Sequence, residues 1–182
     1  GGSDFKVSLP INKIQKSGTE ITVILKGLLG GHSGIEIDKG RVNANMLAGR
    51  FLNHLSSIID FDIISIDGGD KGNAIPNLCK IRLCVTDVDE FVKEATAYIE
   101  IIKNEISERE KAFTSVITVG ENGNFDVFDN ELKNNLIFAL LCVPNGIIEM
   151  SAGIEGLVET SLNLGILATE KDNVTMLFTL RS

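Results

Sequence analysis

Residues 19–34 read TEITVILKGLLGGHSG, and this stretch decides how the fold begins. The first eleven residues, 19–29, are rich in β-branched side chains that partly alternate with polar ones, which predicts a strand. The next five, 30–34, hold three glycines around one histidine, so the backbone of this loop is free to adopt conformations that other residues disfavour. The pattern therefore predicts a strand that leads into a loop able to bring an imidazole close to a ligand.

Two helices and three more strands follow this loop. Asn43 is the predicted N-cap of the first helix, and Asp87 with Glu90 resembles a capping box at the start of the second, which we expect to run to about residue 110. Apolar residues at helical spacing define the buried face of the first helix: Leu47, Phe51, Leu55 and Ile58. Strands are predicted at 61–67, 78–86 and 113–119. The order β-α-β-β-α-β predicts an α+β fold of the ferredoxin-like type, an antiparallel sheet with helices on one face.

The remaining third of the chain extends this unit. A further helix is predicted from Asp129 to Val143, and further strands at 147–151, 157–169 and 173–181. No linker, internal repeat or low-complexity segment divides the chain. We therefore expect residues 1–182 to form one domain.

Composition excludes several classes of protein. The chain carries 25 acidic and 17 basic residues, a formal charge of −8, so its surface would repel nucleic acid. It has no apolar run long enough to span a membrane and no basic segment typical of a secretory signal at its start. The three cysteines form no CxxC pair, which favours free, buried thiols in a cytoplasmic protein.

The residues alone nominate few chemical groups. Of the two histidines, His54 sits beside the apolar stripe of the first helix and favours a structural or surface role, whereas His32 fits a surface loop and a ligand-facing group equally well. Asn73 lies shortly before Pro76. It could either adopt a turn conformation or donate its side-chain amide to a carboxylate or oxyanion. Arg181, at the end of the last strand, fits either a solvated cation or a carboxylate clamp. Two histidines are too few for a dinuclear metal centre, so no metal site is predicted.

Three segments resemble a known family. The stretch KGLLGGHSGIEIDKGRVNANMLAGRFL, residues 26–52, resembles bacterial aminoacyl-histidine (Xaa-His, carnosinase-like) dipeptidases, which belong to the dizinc exopeptidases together with carboxypeptidase G. GNAIP at 72–76 and GLVETSLNLGIL at 156–167 resemble two further blocks of that family. The resemblance covers nearly the whole chain and implies a lid domain. The metal-binding catalytic domain of such enzymes is absent from residues 1–182.

The resemblance also implies roles for single residues. His32 matches the lid histidine that stabilises the oxyanion of the scissile carbonyl, in dimeric members at the active site of the neighbouring subunit. Asn73 matches an asparagine that hydrogen-bonds the substrate, and Arg181 an arginine that holds its terminal carboxylate. The implied partners are a dipeptide substrate, the catalytic domain of the same polypeptide and a second copy that pairs through the first helix and an edge strand. The implied cofactor is a pair of zinc ions in the parent enzyme, with none bound by this fragment.

Two departures keep alternatives open. Relatives like carboxypeptidase G carry an arginine where this chain has Thr86, and Lys71 stands near a position where we expect an arginine. The alternatives are the lid of another dizinc exopeptidase or deacylase, such as a tripeptidase or carboxypeptidase, and a ferredoxin-like ligand-binding or dimerisation module.

Overall fold

The computed structural model describes all residues from Gly1 to Ser182. It contains three α-helices and ten strands, with a short 3₁₀ turn at Ile37–Lys39. The helices are α1 (Ala44–Ser56), α2 (Val88–Ile106) and α3 (Asn130–Cys142). The strands are β1 (Gly2–Pro10), β2 (Lys13–Lys26), β3 (Gly31–His32), β4 (Asp62–Gly68), β5 (Ala74–Ile75), β6 (Cys79–Val85), β7 (Thr114–Phe128), β8 (Gly146–Met150), β9 (Val158–Thr169) and β10 (Asn173–Arg181).

Eight of the strands form one antiparallel sheet. Its order is β1-β10-β9-β4-β6-β2-β7, and β8 pairs with the free part of β9. The segment β4-β6-β2-β7, with α1 and α2 as its connections, is the predicted ferredoxin-like unit, and β8, β9, β10, β1 and α3 extend it. The predicted fold class is therefore confirmed. β3 and β5 form a separate two-stranded ribbon beside the main sheet.

The hydrophobic core lies between the sheet and the helices. In β2 the alternate residues Ile21, Val23 and Leu25 are fully buried, because they point to the face that the helices cover. Phe51 of α1 and Phe91 of α2 are fully buried against the same face. All three helices contribute to a single cluster of 34 buried residues, which holds them on one side of the sheet. Each large side chain in it contributes about 1.5–3 kcal/mol by burial.

The helix starts follow the local signals in the sequence. The side chain of Asn43 accepts hydrogen bonds from the backbone N–H groups of Asn45 and Met46, at 2.9 and 3.3 Å, and so caps α1. Asp87 accepts from the backbone N–H of Glu90 at 3.1 Å. These bonds satisfy N–H groups that the first turn of a helix leaves without partners. The second helix ends at Ile106, earlier than predicted.

Other elements differ from the prediction. β1 was not predicted, because it is a mostly exposed edge strand whose partner, β10, lies at the far end of the chain. β7 continues to Phe128, because its second half pairs with the start of β2 as an exposed two-stranded ribbon. Ile58 lies beyond the end of α1 and is 48% exposed, so its predicted place in the buried stripe is wrong. The thiol of Cys142 is exposed, whereas Cys79 and Cys84 are buried as expected.

None of the helices is both long enough and apolar enough to cross a membrane.

Candidate functional site

The glycine-rich loop holds the ring of His32 in one orientation. The ring atom Nδ1 accepts hydrogen bonds from the backbone N–H groups of Gly34 and Ile35, at 3.0 and 3.2 Å. A nitrogen that accepts cannot carry the proton of a neutral imidazole, so that proton must sit on Nε2. His32 is half-buried. Nε2 is its one polar atom that makes no hydrogen bond within the chain. The loop therefore presents Nε2–H as a donor.

A carboxylate inside the loop fixes the backbone of the same histidine. The backbone N–H of His32 donates to Glu36 at 2.8 Å, and the backbone N–H of Glu36 donates to the carbonyl oxygen of His32 at 3.0 Å. The carboxylate also forms a salt bridge with Arg41 at 2.8 Å, and Arg41 donates to the carbonyl oxygen of Gly30. The hydrogen bond from His32, together with Lys39 and Arg41 nearby, lowers the pKa of Glu36 below its usual value.

A second carboxylate holds the two ends of the loop together. Glu110 is 2% exposed and accepts hydrogen bonds from the backbone N–H groups of Leu29 and Val42, at 2.7 and 2.9 Å. Leu29 precedes the loop and Val42 follows it, so one side chain fixes both ends. Sequence reasoning missed Glu110, because a glutamate at the predicted end of a helix reads as a surface residue.

Asn73 lies next to the His32 loop. The short ribbon of β3 and β5 pairs His32 with Ala74, and the backbone N–H of Ser33 donates to the carbonyl oxygen of Asn73 at 3.0 Å. The side chain of Asn73 is exposed. Its amide and the imidazole of His32 are therefore carried by paired segments of backbone.

Two polar side chains from the extended part of the sheet hold the segment that carries Asn73. Asn163 is 1% exposed and donates to the carbonyl oxygens of Gly72 and Ala74, at 3.2 and 2.8 Å. Thr179 donates to the carbonyl oxygen of Gly72 at 2.9 Å. Sequence reasoning did not identify either residue. The one available signal was an asparagine inside an otherwise apolar strand, within SLNLGIL.

Arg181 reaches the same loop from the end of β10. A Cβ atom placed on Gly34 would lie 2.7 Å from Nε and 2.9 Å from Cζ of Arg181, so the guanidinium rests directly on that glycine. Its Nε is buried without a hydrogen-bond partner, and no acidic side chain forms a salt bridge with it. A carboxylate from outside the domain would satisfy this buried N–H and pair with the half-buried guanidinium.

The structure thus brings His32, Asn73 and Arg181 to one place, and it separates them from His54. The ring of His54 stacks on Tyr98 with 3.7 Å between ring centroids and an angle of 8° between their planes. Thr86 lines a different cleft, with Lys16 and Asp62. Lys71 lines a cleft of about 510 Å³ beside Gly30 and Gly31.

The three candidate side chains line none of the larger clefts of the domain. The walls of the 510 Å³ cleft include none of the three candidate side chains. No group of three or more His, Cys, Asp and Glu side chains is placed to hold a metal ion. The arrangement can supply a neutral N–H donor, an amide and a guanidinium, which together suit an oxyanion and a carboxylate.

Comparisons with known proteins point to one family. Residues 23–114 match a family described as a peptidase dimerisation domain. The cytosol non-specific dipeptidase of Escherichia coli K12 is 34% identical over 186 residues, an alignment that covers 100% of this chain and 38% of the relative. The crystal structure of aminoacylhistidine dipeptidase from Vibrio alginolyticus matches with a TM-score of 0.92 and 34% identity, again over 100% of this chain and 38% of that chain. The chain thus spans about two fifths of the length of these two relatives.

Proposed function

Because the chain belongs to the peptidase dimerisation domain family, we propose that it is the lid and dimerisation domain of a cytoplasmic, metal-dependent dipeptidase. Two findings support this proposal. Both relatives are named as dipeptidases, and the chain spans only 38% of the length of each. A separate catalytic domain of the same polypeptide would carry the metal ions and the water that attacks the substrate. One observation carries the proposal: every polar atom of His32 except Nε2 is held by the loop, so the residue is built to present a single donor.

His32 would stabilise the transition state. As water adds to the scissile carbonyl, negative charge builds up on the carbonyl oxygen, and Nε2–H of His32 donates to that oxygen. A donor that is already oriented needs no rearrangement when the charge appears, and such a donor typically contributes 10²–10³ in kcat, about 3–4 kcal/mol. The bonds from Gly34 and Ile35 to Nδ1 provide that orientation.

Arg181 and Asn73 would bind the substrate. The guanidinium of Arg181 has no anionic partner within the chain, so it is available to the free carboxylate at the end of a dipeptide. The exposed amide of Asn73 would hydrogen-bond the backbone of the same substrate. A guanidinium that requires a terminal carboxylate favours short peptides, and the Vibrio relative supports Xaa-His dipeptides as the class.

We assign the metal ions to residues outside this chain. The family resemblance implies two zinc ions, and no cluster of three potential ligands lies in the domain. When bound, such ions activate a water molecule and polarise the carbonyl group. The residues of this chain would exclude bulk water, place the donor and hold the carboxylate when the lid closes.

The dimer would form along one of the two free edges of the sheet, the one made by β7. β7 ends the sheet order and α2 packs beside it, whereas α1 packs against both α2 and α3. We therefore place the pairing on β7 and α2 rather than on the first helix. Ile101 of α2 is 57% exposed, which suits an apolar contact. Ile101→Asp should lower the dimer fraction in sedimentation, and Ile58→Asp, just past the end of α1, should not; an unchanged dimer fraction in Ile101→Asp would overturn the placement on α2.

The catalytic proposal is tested in the full-length parent enzyme. His32→Ala should lower kcat on Ala-His by about 10²–10³. His54→Ala is the matched control and should leave kcat unchanged, because His54 stacks on Tyr98 away from the site. Faster turnover of Gly-Gly-Gly or of N-acetyl amino acids than of Ala-His would point to a tripeptidase or a deacylase. Full activity of His32→Ala would refute the proposed role of the loop.

A further inference from the structure

Glu36 is the one side chain that hydrogen-bonds the backbone of His32, and two hydrogen bonds join the residues. The Glu36 carboxylate accepts from the His32 N–H at 2.8 Å, and the Glu36 backbone N–H donates to the His32 carbonyl oxygen at 3.0 Å. The turn between them provides the N–H groups of Gly34 and Ile35 that hold Nδ1. Thus the position of the ring depends on the turn, and the turn is closed by Glu36.

Arg41 holds the carboxylate of Glu36 in place. It forms a salt bridge with one oxygen of Glu36 at 2.8 Å while the other oxygen accepts from His32. The same guanidinium donates to the carbonyl oxygen of Gly30 on the opposite side of the loop. The pair therefore ties the start of the loop to its end through one carboxylate and one guanidinium.

The glycine before the histidine makes room for this pair. The φ of Gly31 is +132°, and a Cβ atom there would overlap the Arg41 guanidinium and lie 2.5 Å from the Glu36 carboxylate. Any larger residue at position 31 would displace the two charged groups. Gly31 therefore provides both the positive φ that the loop needs and the space that the Glu36–Arg41 ion pair occupies.

We propose that Glu36, held by Arg41, is a positioning residue that sets the imidazole of His32 for its role in the proposed hydrolysis. The inference rests on the proposed function, since it needs His32 to act on the substrate. Glu36 itself touches no reacting atom. Without its carboxylate the His32 N–H loses its acceptor, the loop loses its closing contact, and the ring moves. A displacement of about 1 Å in an active site lowers turnover by as much as ~10²-fold.

The test is a set of variants of the full-length parent enzyme, assayed on Ala-His. Glu36→Ala should lower kcat by about 10–100-fold and change KM by less than about 3-fold, because a misplaced donor weakens transition-state binding more than substrate binding. Glu36→Gln keeps an acceptor for the His32 N–H but loses the ion pair with Arg41, so its kcat should fall between those of Glu36→Ala and the wild type. Glu170→Ala is the matched control, since it breaks the exposed Lys6–Glu170 pair and should leave kcat unchanged.

A double-mutant cycle separates positioning from a general effect on folding. In the His32→Ala background, Glu36→Ala should cause less than about a 2-fold further loss of kcat, since the group it positions is gone. If the two losses multiply instead, or if Glu36→Ala retains full kcat while His32→Ala does not, the positioning role is overturned and the proposed function stands. If His32→Ala itself retains full kcat, the proposed function fails and this inference fails with it.

A second variant keeps the test decisive if Glu36→Ala melts at a much lower temperature. Arg41→Gln leaves the Glu36 carboxylate bonded to the His32 N–H and removes only the salt bridge that orients it. It should lower kcat by about 3–10-fold with KM unchanged, and that loss should also vanish in the His32→Ala background. An Arg41→Gln enzyme with wild-type kcat would overturn the role of the pair.

Discussion

Gly34→Ala should weaken substrate binding and leave the fold intact. The new Cβ would lie 2.7 Å from Nε and 2.9 Å from Cζ of Arg181, where ordinary contacts start at 3.4 Å, so Nε must move by about 0.7 Å. The atoms in the way belong to the flexible end of a side chain, and Gly34 does not have a positive φ, so the backbone accepts alanine. A hydrogen bond to a charged group contributes about 1.5–3 kcal/mol, so losing its geometry should raise KM roughly 10- to 100-fold.

The assay compares a dipeptide that has a free carboxylate with its C-terminal amide, in the full-length parent enzyme. Gly34→Ala should raise KM for the acid and leave KM for the amide unchanged, because the amide never used the guanidinium. Gly153→Ala is the matched control: its Cβ would meet nothing within 4 Å, and Gly153 has no positive φ. An unchanged KM for the acid, in a variant whose melting temperature matches that of the wild type, would refute the assignment of Arg181 to the carboxylate.

Three further predictions concern stability. Phe51→Ala should cost about 3–5 kcal/mol in the free energy of unfolding measured in urea, because the ring is fully buried beneath the sheet. Glu110→Gln should lower the free energy of unfolding by about 1–3 kcal/mol, because either the Leu29 or the Val42 N–H then faces the NH₂ group of the new amide and loses its acceptor. Hydrogen exchange at these two backbone amides should become faster. The folded pKa of Glu36 is lowered, so its stabilisation is present above the usual carboxyl pKa of 4.5 and is lost as the pH falls through the folded value. Acidification to about pH 3 should therefore destabilise the wild type more than Glu36→Gln, as measured by thermal unfolding.

Local signals predicted the parts of the fold that local bonds determine. Asn43 and Asp87 accept the N–H groups of the helical turns that follow them, within three residues, and the caps of α1 and α2 are visible in the sequence for that reason. In β2, buried and more exposed side chains alternate because every second residue faces the helices, and this alternation can be read from adjacent residues in the sequence. Such features require no knowledge of distant contacts.

Features that depend on distant partners were not predicted. β1 is paired along its length with β10, so that Gly2 faces Arg181 across almost the entire chain. Asn163 holds the backbone at Gly72 and Ala74, about ninety residues away in sequence. The hydrophobic pattern of a segment does not identify its distant partner, because the same pattern is compatible with pairing to several different strands. The residues themselves nominated His32, Asn73 and Arg181 with alternatives open, the family resemblance implied their roles, and only the fold places them together.

The contact between Gly34 and its two neighbours has a consequence for substrate length. The backbone N–H of Gly34 donates to the ring of His32, and its Cα lies against the guanidinium of Arg181, so one residue touches both groups. The distance between the proposed oxyanion donor and the proposed carboxylate anchor therefore depends on how the guanidinium packs on this turn. A substrate must present a scissile carbonyl and a terminal carboxylate at that separation at the same time. Longer peptides place their carboxylate elsewhere, so under the proposed function the turn itself selects short substrates, and lengthening it by one residue should shift the preferred peptide length before it lowers stability.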